Sequence, residues 1–308
     1  RFSFLISSMI ICIYFALLSC SRSTMRDSID MNWKVSNITI EKNIFLYEGY
    51  NPDVPMRAWA VHIPLKNNSI KILVSEDIDG ISTPSEIGLE SGASVIINGG
   101  YFTRGQRPMR HIGLLKSKDS LYEPASKSVL RENLRYNINR GAFAIKYDSS
   151  PEISWATTKN DSIFSWSHPF KNRPGKPASI NYSFSEFWNV KEAIHAGPVL
   201  IKNSEINVTS EQELFFNTPV DGVQPRTAIG YKKNGDVIMM VVDGRQVDSR
   251  GAYLKELALL MRQFDCKEAL NLDGGGSSAL VVNGKLINNP IGLRIEREVM
   301  SFIVAVPD

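Results

Sequence analysis

The sequence predicts an α+β fold: a single mixed domain, largely antiparallel sheet with packed helices and an active-site cavity formed by strand-end loops. Three observations lead there. Asn234-Gly235 and Asn283-Gly284 each sit between apolar runs, a strong hairpin signal. Between these pairs, Leu254, Leu257, Ala258 and Met261 recur at helical spacing, so residues 253–264 read as an amphipathic helix. Helix and hairpins alternate without an internal repeat, which suits one domain.

The elements follow in chain order. No charged residue occurs from Phe2 to Ser21, and Arg1 precedes the run. Leu17-Leu18-Ser19-Cys20 resembles a bacterial lipobox, in which the Cys receives lipid. Residues 1–20 are therefore expected to be a lipoprotein signal peptide and 21–34 a polar tether. A transmembrane anchor, or a signal peptide cut elsewhere, is the alternative. The expected location is the bacterial cell envelope, lipid-anchored through Cys20 and periplasmic or cell-surface. Cys12 would leave with the leader, and Cys266 would be the sole unlipidated thiol of 3 Cys. Asn-x-Ser/Thr sites such as Asn37 and Asn207 are expected by chance in an Asn-rich chain.

Residues 58–63 and 70–74 read as strands around a Lys66-Asn67-Asn68 turn. Residues 83–92 read as a short helix, with Pro84 in its first turn and Gly92 at its end. Residues 94–97 form a buried strand leading into Asn98-Gly99-Gly100-Tyr101-Phe102, and residues 141–145 form another. Residues 162–182, with Pro169, Pro174, Gly175 and Pro177, read as a long surface loop or insertion. The two Asn-Gly hairpins complete the set, joining 227–231 to 237–242 and 280–282 to 285–287.

Composition excludes several classes. The chain has 308 residues, 43% hydrophobic and 22% charged, near the globular average. A net charge of +3 lacks the basic stripe that nucleic acid requires. The Cys count is too low for a disulfide scaffold. The 4 His are dispersed without zinc-site spacing, so no metal is assigned.

Chemistry is expected where two apolar strands end in acid-glycine. These are Val242-Asp243-Gly244-Arg245 and Asn271-Leu272-Asp273-Gly274-Gly275-Gly276-Ser277-Ser278. A carboxylate beyond a buried strand is held rigidly, and consecutive glycines let backbone approach a ligand. The loop lacks the Lys-Ser/Thr of a P-loop and the Gly-x-Ser-x-Gly of a nucleophile elbow. A dinucleotide loop must open a helix, whereas a hairpin follows here. Arg226 begins a strand; Arg245 either meets a ligand or pairs with Asp243. Glu256 is either a site residue or an exposed helix Glu paired with Lys255 or Arg262. His195 reads as a packed strand-end His rather than a catalyst, and Trp155, Trp166 and Trp188 as core, with stacking on a sugar face as the alternative.

In this order along the chain, Ile97 to Phe102, Gly197-Pro198-Val199-Leu200, Pro225-Arg226-Thr227-Ala228-Ile229-Gly230, Asp243-Gly244-Arg245, Leu254 to Ala258, Asn271 to Ser278 and Glu296-Arg297 resemble the phosphodiester glycosidase family. Ala279, Ser204, Phe264-Asp265-Cys266 and Ile291 to Arg294 depart from its pattern. The resemblance implies that 35–308 is a phosphodiester glycosidase domain. It would cleave the C1–O bond of a sugar-1-phosphodiester, GlcNAc-1-phosphodiester-like, giving free sugar and a phosphomonoester. Asp273 is the expected base or nucleophile, with Glu256 or Asp243 as second carboxylate. Asn98, Gly99, Arg226, Arg245, Asn271, Gly274, Gly275, Gly276 and Ser277 would bind substrate or phosphate. No cofactor is required; a Ca²⁺ or Mg²⁺ shared by Asp243 and Asp273 stays open. A non-catalytic lipoprotein that binds anionic glycan and a metal-dependent phosphodiesterase are the alternatives.

Overall fold

A computed structural model describes residues 28–308 apart from 104 and 106. The expected leader, Cys12 and Cys20 lie outside the described residues. Part of the expected tether belongs to the fold. Ile29 is buried, and the strand Asn32–Val35 pairs with Phe45–Asn51.

The chain is mostly β, which corrects the α+β expectation. Among the described residues there are two α-helices, α1 (Pro84–Ser91) and α2 (Leu254–Gln263). Both were legible in the sequence. They do not make a layer, because elsewhere the apolar runs are short and turn-bounded. Such runs bury their faces by pairing as strands.

Three sheets carry the fold. The largest has eight strands, in spatial order Asn32–Val35, Phe45–Asn51, Met56–Ile63, Val237–Val242, Arg226–Lys232, Cys266–Asn271, Val199–Lys202 and Glu205–Ile206. A five-stranded sheet runs Lys285–Leu286, Leu280–Val282, Val95–Asn98, Ser301–Pro307, Asn68–Val74. A seven-stranded sheet is centred on Arg140–Ile145 and Pro151–Lys159. The two strands around Lys66 thus go to different sheets. Both Asn-Gly hairpins are present. Asn283 (φ 48°) and Gly284 (φ 72°) both take the left-handed backbone that a tight two-residue turn needs.

Residues 162–182 divide into a short strand and a largely exposed loop that follows it. Ser162–Trp166 is a strand paired with Pro151–Lys159. Beyond it, buried Asn172 donates to the Asn137 and Gln212 carbonyls and accepts from Ala178 N. Trp155, Trp166 and Trp188 are all buried.

One apolar core joins the three sheets through Val61, Val241, Leu270, Ile97, Ile303, Phe143 and Trp155. Val237–Val242 is buried at every position. Met239 and Val241 face that core, while Ile238, Met240 and Val242 pack in a second cluster with α2. A strand covered on both faces needs a continuous apolar run rather than alternation. Helix α1 packs Ile87 against Ile96, Val281 and Phe302 on the outer face of the five-stranded sheet. Thr83 and Glu86 close a capping box at its start, and Gly92 (φ 66°) ends it.

Topology then places the chemistry. Val237–Val242 and Cys266–Asn271 are each antiparallel to Arg226–Lys232. Their C-terminal ends therefore leave the sheet together, beside the start of the Arg226 strand. Asn98 reaches the same end from the five-stranded sheet, where its side chain accepts from Thr227 Oγ1.

Candidate active site

The Asp273 loop is fastened from several sides. Asp273 N donates to Gly99 O at 3.1 Å, and Asp273 O accepts from Asn98 Nδ2 at 2.8 Å. Asn98 is fully buried, and its Oδ1 also accepts from Ala279 N at 3.2 Å. Gly99 sits against Ser301, where an added Cβ would collide. Asn98 and Gly99 are therefore scaffold that holds Asp273 in place. Asp273 itself is half-buried, and its Oδ1 accepts from Gly274 N at 2.9 Å.

Asn271 is likewise interior. Its Nδ2 donates to Tyr101 Oη (3.0 Å), Gly197 O (2.9 Å) and Leu272 O (2.8 Å). Tyr101 Oη donates to Gly197 O at 2.9 Å. Burial and the charge of Asp273 push the Tyr101 hydroxyl well above the ordinary phenol range, so it stays protonated. Gly197 permits this packing, because a Cβ there would collide with the Glu213 carboxylate and crowd Phe215. Glu213 is fully buried and accepts from Gly141 N, Val199 N, Thr209 Oγ1 and Trp155 Nε1.

The other expected carboxylates are interior and engaged. Asp243 is 1% exposed. Its oxygens accept from Asn288 Nδ2 at 2.9 Å and Asn289 N at 3.0 Å. Burial raises its carboxyl to about 6 against the pull of those hydrogen bonds. Both oxygens thus face N–H donors, an arrangement unsuited to a cation shared with Asp273. Glu256 is buried at the start of α2, where it accepts from Tyr253 N and pairs with Arg250 rather than Lys255 or Arg262. Its carboxylate caps a helix. Among the described residues no group of three His, Cys, Asp or Glu side chains is placed to cage a metal ion.

The arginines also divide. Arg226 is 2% exposed, and its guanidinium donates to the backbone carbonyls of Ala252, Val220 and Gly222. Burial lowers it to about 10, so it remains a cation at neutral pH. It ties the Ala252 and Gly222 loops to the start of its strand. Arg245 is exposed and does not pair with Asp243; its Nη2 donates to Gln224 Oε1 at 2.6 Å. Its guanidinium lies beside Gly275, 3.3 Å from where a Cβ would stand. Two of the three glycine amides are used internally, Gly274 N to Asp273 and Gly275 N to Pro225 O at 2.9 Å. Buried Ser277 approaches Arg297 Nη1 at 3.4 Å.

One half-buried carboxylate, a glycine loop and an exposed guanidinium thus meet at the ends of neighbouring strands. Consistent with this, the chain belongs to the phosphodiester glycosidase family, whose model matches residues 91–306. The mouse N-acetylglucosamine-1-phosphodiester α-N-acetylglucosaminidase is 37% identical over 100 residues, 30% of this chain and 19% of that protein. The matched stretch thus spans about a fifth of the curated relative's length. The catalytic domain of the zebrafish enzyme, solved in a form auto-inhibited by its pro-peptide, shares the fold. The TM-score is 0.58 at 20% identity, over 92% of this chain and 85% of that one. A hypothetical protein from Synechocystis superposes with a TM-score of 0.60 at 16% identity, over 92% and 64%.

Two site neighbours escaped selection from the sequence, Tyr101 and Arg297. Both stand in runs that carry the family resemblance. No spacing rule marks a Tyr after Gly-Gly, or an Arg twenty residues beyond the loop it touches.

Proposed function

We propose that the chain hydrolyses the C1–O bond of a sugar-1-phosphodiester, GlcNAc-1-phosphodiester-like, releasing free sugar and a phosphomonoester. The observation that carries this is the state of the three carboxylates. Asp273 is half-buried on a loop pinned through Asn98 and Gly99, whereas Asp243 and Glu256 are enclosed by N–H donors and Arg250. An ordinary glycosidase needs two carboxyl groups, one to protonate a poor leaving group. A phosphate leaving group is weakly basic and needs anion stabilisation more than a proton. One carboxylate, with the Arg245 guanidinium against Gly275 of the same loop, therefore meets the demand.

In this reading Asp273 serves C1, either as nucleophile or by taking a proton from the attacking water. The C1–O bond breaks, and its electron pair leaves on the phosphate oxygen toward Arg245. The water oxygen ends as the sugar hydroxyl. Asp243 and Glu256 position the loops that bear Arg245 and α2. Turnover of sugar-1-phosphodiesters in ¹⁸O-water tests the bond assignment. Label recovered in the sugar supports it; label in the phosphate points to a phosphodiesterase and sinks it. Saturable binding without product points to a glycan-binding protein instead.

The envelope location is proposed on the lipobox alone. Cys20→Ser should release the protein from the membrane fraction and abolish incorporation of a labelled fatty acid. Retention and labelling in that variant would refute the anchor.

A further inference from the structure

We propose that Arg297 and Arg245 together form the phosphate seat, one guanidinium on each of the consecutive glycines Gly275 and Gly276. This rests on the reading of the substrate as a phosphodiester and says which side chains hold its phosphate.

Arg245 lies beside Gly275, with Nη2 3.3 Å and Cζ 3.8 Å from a would-be Cβ. Arg297 lies closer still to Gly276, its Cζ 2.6 Å and Nη1 3.1 Å from a would-be Cβ. The guanidinium occupies the space any side chain would take, so Gly276 is the residue that admits it. Adjacent Cα atoms are about 3.8 Å apart, so both cations address the same short stretch of loop. Arg297 Nη1 also meets Ser277 Oγ at 3.4 Å, which orients the group toward the loop. Asp273 opens the same loop. Two planar forks set against consecutive residues of one loop suit the oxygens of a phosphate, which accept bidentate N–H donors.

Arg226 does not share this task, because backbone carbonyls already hold its guanidinium. A seat with two cations favours the dianion. A diester carries one negative charge, while a phosphomonoester carries about 1.5 to 2 at neutral pH. The product, and inorganic phosphate, therefore bind more tightly than the diester and compete with it.

The test uses the full chain and inorganic phosphate, first by calorimetry and then as an inhibitor of sugar-1-phosphodiester turnover. Wild type should bind phosphate, with competitive inhibition. Arg297→Ala should weaken phosphate binding about ten- to hundredfold, the worth of a hydrogen bond to a charged group. Arg297→Lys should recover part of the affinity, since it keeps charge but loses the fork. Gly276→Ala should weaken phosphate with both arginines still present, by displacing the Arg297 guanidinium. If Arg297→Ala fails to fold, Arg297→Gln keeps the stem and reports the same loss. Equal phosphate affinity in wild type and either neutral variant overturns the seat, as does wild type that binds no phosphate. The two readings fail separately. Phosphate held through Arg297 without diester turnover leaves the seat standing and removes the enzyme. Turnover indifferent to Arg297 removes only the seat.

Discussion

Two buried histidines should make the fold acid-labile. His111 and His195 are 3% and 1% exposed, beneath the Gly99-Gly100 turn that supports Asp273. An added Cβ at Gly100 would stand 2.5 Å from His111 Nε2, and one at Gly113 would stand 2.6 Å from His195 Nδ1. His111 Nδ1 meets Gly113 O at 3.0 Å. The His195 ring makes no regular hydrogen bond and has only a weak approach to the Ala156 backbone. Burial lowers His111 to about 4 and His195 to about 3, the latter with help from the Arg140 charge. Both are bases depressed on folding. Their contribution is complete above the unfolded value near 6.5 and is lost as pH falls toward the folded values. Between pH 7.5 and 5 each costs about 2 kcal/mol, about 4 together. Asp243 works the other way. Its raised carboxyl takes up a proton in the fold first, returning about 1 kcal/mol over the same range. Glu192 and Glu213, also raised by burial, act in the same direction as Asp243 and reduce the net loss further. Urea unfolding at the two pH values, at matched ionic strength, measures it by tryptophan fluorescence. His195→Leu removes one titrating group and should lose about 2 kcal/mol less than wild type over that range. Identical pH losses in variant and wild type would refute the assignment, since every other titrating group cancels in the comparison.

Three further outcomes separate chemistry from scaffold. Asp273→Asn keeps the oxygen that accepts from Gly274 N, so the melting temperature should hold while turnover falls about a thousandfold or more; turnover within tenfold of wild type would remove Asp273 from the reaction. Glu256→Ala loses the α2 cap and strands Arg250, and should cost about 2 to 4 kcal/mol in denaturant unfolding. Folded Glu256→Ala should keep far more turnover than Asp273→Asn, and the reverse order would restore Glu256 as the catalytic carboxylate. Asn98→Ala leaves Asp273 O, Thr227 Oγ1 and Ala279 N without their partner. It should cost about 3 kcal/mol or more, and a neutral effect would contradict its place as the loop's anchor.

What the sequence revealed divides along physical lines. Local signals were reliable where backbone chemistry alone decides. Asn283-Gly284 needs two positive φ angles, and Thr83 with Glu86 closes a cap within four residues. The strand-end acids were likewise legible, because an apolar run that stops at Asp-Gly must leave the core there. Fold class was not, since α1 and α2 are strong local patterns whose number says nothing about the sheets they meet. Side-chain surroundings are not legible for the same reason. Asp243, Glu256 and Asp273 look alike in sequence, yet Asn288, Arg250 and Asn98 separate them, and each of those partners is fixed by a long- or medium-range contact. A carboxylate's chemistry follows from what already holds its oxygens. At Asp273 the backbone carries the contacts to Asn98 and Gly99, which fix where the loop sits.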